Sequence, residues 1–424
     1  MRPFSFLHAA DLHLDTPFDG IGKVAPDLQQ KLRDASLAAF DNLIDTAIAR
    51  AVDFVVIAGD IYDGAERGTR AQSRFLSGLR RLGERSIGVL FIHGNHDPVA
   101  VGWSAIRASE FPPSTVLFSQ CDEVRAHVIE RGGEPLAAVH GISFRETKEK
   151  RNLSRFFRRD AVEAPFHIGL LHTNAGGNPA HDNYAPCSLD DLRTRGMDYW
   201  ALGHIHLRGS VIERDPVAHY SGNVQARSFK EVGPRGATLV HVEGSGAVRL
   251  EFVQLGVIDF VVVRLDLTVC ESLDQVAAQC EAAAERASVE SDGRFVMLRL
   301  ELTGRTPVHG DLLRAAAHDE LASTLRERIG ARAWLDDVKL AVFPPIDRAE
   351  LARSAAFEGV LVQFTDALTV DATAANEALD RLREPLRAGT RFREFCVGDE
   401  SATDIWCRAE ARLLAALQEK SACD

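Results

Sequence analysis

The sequence predicts a layered α/β protein, and three observations carry that prediction. Over residues 1–255, short apolar runs alternate with longer stretches of helical period. Five of the runs end on polar motifs: Asp11-Leu12-His13, Gly59-Asp60, Gly94-Asn95-His96-Asp97, His172 and Gly203-His204-Ile205-His206. Ligand-handling groups collect at strand ends in folds of this kind. Near Gly256 the pattern changes to a strand–helix–strand–helix–strand unit, and after Pro344-Pro345 to alanine-rich helix.

Residues 5–10 read as a strand. Leu28, Leu32, Ala35, Ala39, Leu43 and Ile44 recur at helical spacing, which predicts a helix over 27–50. Residues 53–58 and 88–92 are apolar runs of buried-strand type, with a helix between them at 69–82. Residues 168–171 and 199–202 repeat the pattern, and shorter strands fill 115–144 and 210–255. Beyond them come strands at 258–267, 294–302 and 333–343, with helices at 272–287 and 311–329. This unit, 256–345, carries none of the five motifs and reads as a small cap or substrate-positioning domain. Residues 346–424 form a helical region, with helices at 373–387 and 404–420, the latter capped by Thr403 or Asp404. An apolar stripe including Ile405, Ala409, Leu413 and Leu417 suits packing on its own protein or docking of a partner.

A chain of 424 residues is enough for one large domain and one or two smaller ones. No apolar run approaches the ~20 residues of a membrane span. No charged leader followed by an apolar stretch opens the sequence. The seven cysteines form no C-x-x-C pair, which suits reduced thiols rather than a disulfide framework or a zinc knuckle. The expectation is a cytoplasmic protein with no membrane association. The net charge of -12 argues against non-specific nucleic-acid binding. One stretch runs the other way: Arg145, Lys148, Lys150, Arg151, Arg155, Arg158 and Arg159, with Phe156-Phe157 inside it. It reads either as a solvated helix with one apolar stripe or as a phosphate-tracking surface.

Asp11 and His13 are two apart at a strand end, so both side chains project to one side. Asp60, beyond a buried strand, can bridge two metals through its two oxygens. Asn95 offers a carboxamide oxygen, and His172, His204 and His206 add imidazoles. These seven residues form the ligand set of a two-metal centre for phosphoester hydrolysis. Two cations ~3.5–4 Å apart could bind a phosphate and activate a water for in-line attack, with no protein nucleophile. Nitrogen and oxygen ligands without thiolates suit manganese, with iron or zinc as alternatives. His96 is kept off the metal: it would stabilise developing charge and protonate the leaving oxygen. Asp97 is expected to orient it.

Ala9-Ala10-Asp11-Leu12-His13-Leu14, Gly59-Asp60-Ile61-Tyr62-Asp63 and Ala201-Leu202-Gly203-His204-Ile205-His206 carry a family resemblance. The motifs, in this order, resemble the calcineurin-like metallophosphoesterase superfamily and, within it, the SbcD-like DNA repair exonucleases. His172-Thr173-Asn174, His181-Asp182-Asn183-Tyr184 and Tyr220-Ser221-Gly222-Asn223 are similar to the YhaO-like branch. The resemblance implies a four-layer β-sandwich flanked by helices, a small α/β capping domain and C-terminal helices. It assigns Asp11, His13, Asp60 and His206 to one metal and Asp60, Asn95, His172 and His204 to the other. His96 becomes the catalytic histidine. The resemblance also implies manganese-dependent cleavage of DNA phosphodiesters, an SbcC-like coiled-coil ATPase docked on the C-terminal helices, and homodimerisation. Asp63 stands where several members carry a histidine that helps exonucleolytic positioning. An aspartate there would repel phosphate, which Arg67 could offset. Arg67 and Asn174 are the candidate substrate contacts. The alternatives are a phosphodiesterase of small molecules such as cyclic nucleotides, and a regulatory subunit of the ATPase.

Overall fold

The computed structural model describes residues 1–16, 26–64, 68–100, 107–178, 182–387 and 401–421. Strand β1 (Phe4–Ala9) leads to helix α1 (Pro26–Ala49), β2 (Phe54–Ala58), α2 (Thr69–Gly83), β3 (Gly88–Ile92) and β4 (Thr115–Leu117). Then come β5 (Arg125–Arg131), β6 (Glu134–Gly141), β7 (His167–His172), the short α3 (Leu189–Arg193) and β8 (Tyr199–Gly203). Strands β9 (Gly209–Ile212), β10 (Val217–Tyr220), β11 (Gly236–Val242) and β12 (Val248–Gln254) complete this part.

The strands form two six-stranded sheets, ordered β12-β11-β1-β2-β3-β4 and β5-β6-β7-β8-β10-β9. In the first, β1, β2, β3 and β4 run parallel. In the second, β6, β7, β8 and β10 do the same. Phe6, Phe54 and Val56 point between the sheets and pack with Ile168, Leu170 and Tyr199. Leu7, Val55 and Ile57 point the other way, onto Phe40, Leu43, Phe75 and Leu79 of α1 and α2. Both faces of these strands are buried, which is why the sequence shows continuous apolar runs instead of alternation. The Phe6 and Phe54 rings stack with centroids 4.9 Å apart, and each such buried side chain contributes roughly 1.5–3 kcal/mol. On the outer face of the second sheet, Leu171, Trp200 and Leu202 pack with Leu153, Phe157 and Leu192. The result is the expected four layers.

The basic stretch at 145–159 is not a helix. It folds into two short 3-10 turns, Leu153–Phe156 and Arg159–Ala161, with Phe157 buried in the core. Four of its cations are matched by carboxylates: Arg145 by Asp122, Arg151 by Glu149 and Asp122, Arg155 by Asp191 and Arg159 by Asp198. This pairing weakens the support it gave to phosphate tracking.

The chain divides into two compact units, Met1–Val262 with Ala287–Met297, and Val263–Arg286 with Leu298–Asp424. The later elements are β13 (Ile258–Asp266), α4 (Leu273–Glu290), β14 (Phe295–Arg305), α5 (His309–Ala317), α6 (Glu320–Ile329) and β15 (Trp334–Phe343). The three strands form one sheet in the order β13-β14-β15. The single helix predicted over 311–329 is two, because Asp319 takes a left-handed backbone (φ 57°) between α5 and α6. Among the described residues, four helices follow: α7 (Arg348–Ala352), α8 (Phe357–Val370), α9 (Ala372–Arg387) and α10 (Ala402–Ser421). The cap of α10 is Ser401, whose hydroxyl accepts from the Asp404 N–H at 3.1 Å, and not Thr403 or Asp404. On α10 it is Leu414 that is buried, while Leu413 is exposed. Among the described residues, no helix is long and apolar enough to cross a membrane.

Candidate metal centre

Strands β1, β2 and β3 end side by side in the first sheet, and β7 and β8 end side by side in the second. The motif residues follow these ends. Asp11 and His13 hang from backbone bonds to the loop after β2: Asp11 N donates to Gly59 O and His13 N to Asp60 O, each at 3.1 Å. Asp11, His13, Asp60 and His204 have φ of 51°, 43°, 50° and 99°. Side chains rarely adopt this region, and it is held only where the surroundings enforce it. Gly94 is required by closeness: a Cβ there would fall on the Asp60 carboxylate and the His172 ring.

The structure brings all seven expected ligand residues together. Donor atoms of Asp11, His13 and His206 lie within 4.8 Å of one another, and so do those of Asp11, Asp60 and His172. Asn95 Oδ1 is 2.9 Å from His172 Nε2 and 3.2 Å from His204 Nδ1. Asp60 Oδ2 is 3.3 Å from His172 Nε2 and 3.9 Å from His13 Nε2, so one carboxylate faces both groups. Outer partners fix which ring nitrogen faces inward. His172 Nδ1 donates to Ala58 O at 2.8 Å and leaves Nε2 for the centre. His204 Nε2 donates to Asp182 O at 2.8 Å and leaves Nδ1. His206 Nδ1 meets Glu231 Oε1 at 2.5 Å, and its Nε2 lies 3.2 Å from His13 Nε2. Such outer-shell bonds orient imidazole ligands and raise their basicity.

The electrostatics fit divalent cations. Burial raises the Asp11 pKa, which marks a carboxylate short of positive charge. Burial alone would lower the pKa of His172, but Asp60 outweighs it and lifts it to about 9. Burial likewise opposes His206, and Glu231 and Asp11 reverse it to a net rise. The buried Nδ1 of His13 finds no hydrogen-bond partner. Asp11, His13, Asp60 and His206 could hold one ion, and Asp60, Asn95, His172 and His204 a second.

His96 stands apart. Its side chain is 39% exposed, and its Nδ1 pairs closely with Asp63. Asp63 in turn accepts from Arg227 at 2.6 Å. Burial lowers the His96 pKa, but the Asp63 bond and the charges of Asp60 and Asp63 leave a net rise, which favours the protonated ring. Asp97 has a different task from the one expected. It accepts from Ile61 N at 3.1 Å and Gly94 N at 2.8 Å and lies 3.3 Å from His93 Nδ1. It braces the loops that carry Asp60 and Asn95, and Asp63 takes the orienting role. Three residues sharing a short sequence motif do not have to touch, and a carboxylate beside two backbone N–H groups is already satisfied.

Asn174 is buried. Its amide donates to Asn178 O, and its oxygen accepts from Asn178 N, so the side chain closes its own loop instead of offering a substrate contact. Arg67 lies outside the described residues. Glu231 and Arg227 went unpredicted, since both come from an irregular loop with no periodicity to mark them. The Tyr220-Ser221-Gly222-Asn223 motif just before that loop was the available signal.

Residues 4–208 match the calcineurin-like phosphoesterase family, and residues 260–342 match the middle domain of the metallophosphoesterase YhaO. The chain is 35% identical over 307 residues to the uncharacterized metallophosphoesterase YhaO of Bacillus subtilis (strain 168), covering 72% of this chain and 73% of that protein. It is 24% identical over 316 residues to the DNA double-strand break repair protein Mre11 of Sulfolobus acidocaldarius, covering 72% and 77%. It is 25% identical over 269 residues to a subunit of the nuclease SbcCD of Bacillus subtilis, covering 54% and 63%.

Proposed function

The chain belongs to the calcineurin-like metallophosphoesterases, in the YhaO branch, and from that premise we propose that it is a two-metal DNA nuclease of DNA repair. The observation that carries the reading is the convergence of seven side chains from five strand ends, with Asp60 facing both groups. Asp11, His13, Asp60 and His206 would hold one ion, and Asp60, Asn95, His172 and His204 the other. Manganese suits these ligands, with iron or zinc as alternatives. When bound, the two ions would polarise a phosphodiester and acidify a water for in-line attack. His96 donates a proton to the leaving oxygen, with Asp63 holding its ring and Arg227 holding Asp63. The relatives named for double-strand break repair and for a nuclease favour DNA as the substrate.

Residues 1–255 would then be the nuclease domain, 256–345 a cap and 346–424 a docking region. Phe357, Val360 and Phe364 on α8 are exposed, which suits a coiled-coil ATPase of the SbcC type as partner. A homodimer and a cytoplasmic location belong to the same proposal. The test is manganese-dependent hydrolysis of linear duplex DNA and of a cyclic nucleotide in parallel, with His96→Ala as control. DNA degradation that is lost in the control supports the nuclease. Turnover of the cyclic nucleotide alone would make the protein a small-molecule phosphodiesterase.

A further inference from the structure

A cleft of about 210 Å³ opens beside His206, lined by Arg208, Asn223, Val232, Arg235 and Phe252 among others. Its floor is made by close backbone packing. Gly222 (φ 73°) lets the Tyr220–Asn223 turn pass against residues 206–208, where a Cβ would come within 2.8 Å of His206 O and 3.0 Å of Arg208 N. Two arginines line this space. Arg235 is only 7% exposed. It donates to His206 O at 2.6 Å, Val232 O at 3.1 Å and Asn223 Oδ1 at 3.3 Å, and its Nε finds no partner. Arg208 is exposed and lies over the Phe252 ring, 4.8 Å from its centroid.

Among the described residues, neither arginine is within ion-pair distance of a carboxylate. The nearby Glu231 acts on Arg235 only through space and spends its oxygens on His206, Asn223 and Arg227. Arg145, Arg151, Arg155, Arg159 and Arg227, by contrast, all meet carboxylates. A buried cation without a counter-charge is costly unless an anion completes it. Guanidinium is the group best shaped to take a phosphate, and stacking on an aromatic ring limits the freedom Arg208 loses in doing so.

We propose that this cleft is a phosphate subsite that holds a backbone phosphodiester of a nucleic-acid strand, flanking the bond cut at the metal centre. The proposal rests on the reading of the protein as a DNA nuclease and deepens it. The cleft abuts a candidate ligand residue, His206, so a strand occupying both places is held in register. A cyclic nucleotide has a single phosphate and cannot fill both places at once, so the subsite selects polymers.

The experiment uses the full chain and a fluorescein-labelled single-stranded oligonucleotide. Binding is followed by anisotropy in EDTA over a salt series, for the wild type, Arg208→Ala and Arg208→Glu. Turnover of the same oligonucleotide and of bis(p-nitrophenyl) phosphate is measured with manganese. Arg208 is exposed, so its replacement leaves the fold intact, which a melting curve checks. Arg208→Ala is expected to weaken binding about tenfold and to reduce the salt slope by about one, and Arg208→Glu to weaken it further. The loss of kcat/KM on the oligonucleotide should exceed that on the small ester by a similar factor. Unchanged affinity and salt slope, with the wild type still cutting DNA, would overturn the subsite and leave the nuclease standing. Equal losses on both substrates would also overturn it, in favour of a role in positioning His206. A wild type that turns over the small ester but neither binds nor cuts the oligonucleotide would overturn both readings.

Discussion

The two sheets bring different chemistry to the same point. From the first, β1, β2 and β3 deliver Asp11, Asp60 and Asn95, all oxygen donors, together with His13. From the second, β7 and β8 deliver only imidazoles, those of His172, His204 and His206. Neither set is complete by itself. On the oxygen side burial raises the Asp11 pKa, and on the imidazole side the His172 ring takes its orientation from the opposite sheet. His172 donates to Ala58 O, and the His204 N–H donates to Asp11. The centre is therefore a property of the sandwich, and it stitches the sheets together where they meet.

Removing the shared oxygen ligand should do the most damage. Asp60→Ala is expected to cost turnover more than the roughly 10–100-fold of an outer-shell change, as steady-state rates with manganese would show. His96→Ala removes no candidate ligand, although the His96 ring packs edge-on against His13. It should lower kcat by roughly 10²–10⁴-fold while metal content stays at the wild-type level. Loss of metal in that variant would mean that His96 is a ligand.

The two carboxylates near His96 separate orientation from bracing. Asp63→Asn should lower kcat roughly 10–100-fold with the melting temperature unchanged. Asp97→Asn should lower the melting temperature, since it weakens acceptance from Ile61 N and Gly94 N. The opposite pattern would return the orienting role to Asp97.

The smallest effect concerns acid. Burial pushes His140 and His219, both in the second sheet, down to about 4, with His167 and Arg208 adding to the respective shifts. Burial acts the same way on His8 in the first sheet. Unfolded histidine titrates near pH 6.5, so on acidification the unfolded chain binds protons that the folded one resists. This stability is fully present above about pH 6.5 and is lost as pH falls toward 4. The urea midpoint of the metal-free protein should fall between pH 7 and pH 5. A midpoint that does not move would show that these rings are not held neutral.

The clustering of the seven candidate ligands was legible because each lies at or within four residues of a strand end, and strand ends in a layered fold converge. The runs around Val55, Leu90 and Leu170 are unbroken and apolar, so their ends could be placed to within a residue or two. Asp63, Arg227 and Glu231 were not legible as a group. They meet across more than 160 positions of sequence through loops without period. The motif Gly94-Asn95-His96-Asp97 misled for the complementary reason. Adjacency in sequence suggested a His96–Asp97 pair, but the turn points Asp97 back at its own loop. Likewise the periodicity over 311–329 continues through a point where Asp319 reverses the backbone, and the basic run at 145–159 showed its own Glu149 but not Asp122, Asp191 and Asp198, which reach it from elsewhere in the chain.

The joint ownership of the centre is tested most directly by metal stoichiometry. Equilibrium dialysis against manganese, with elemental analysis, would be run on the wild type, His206→Ala and Asp60→Ala. Two ions per chain, one and none are predicted. Two ions retained by Asp60→Ala would contradict a shared carboxylate.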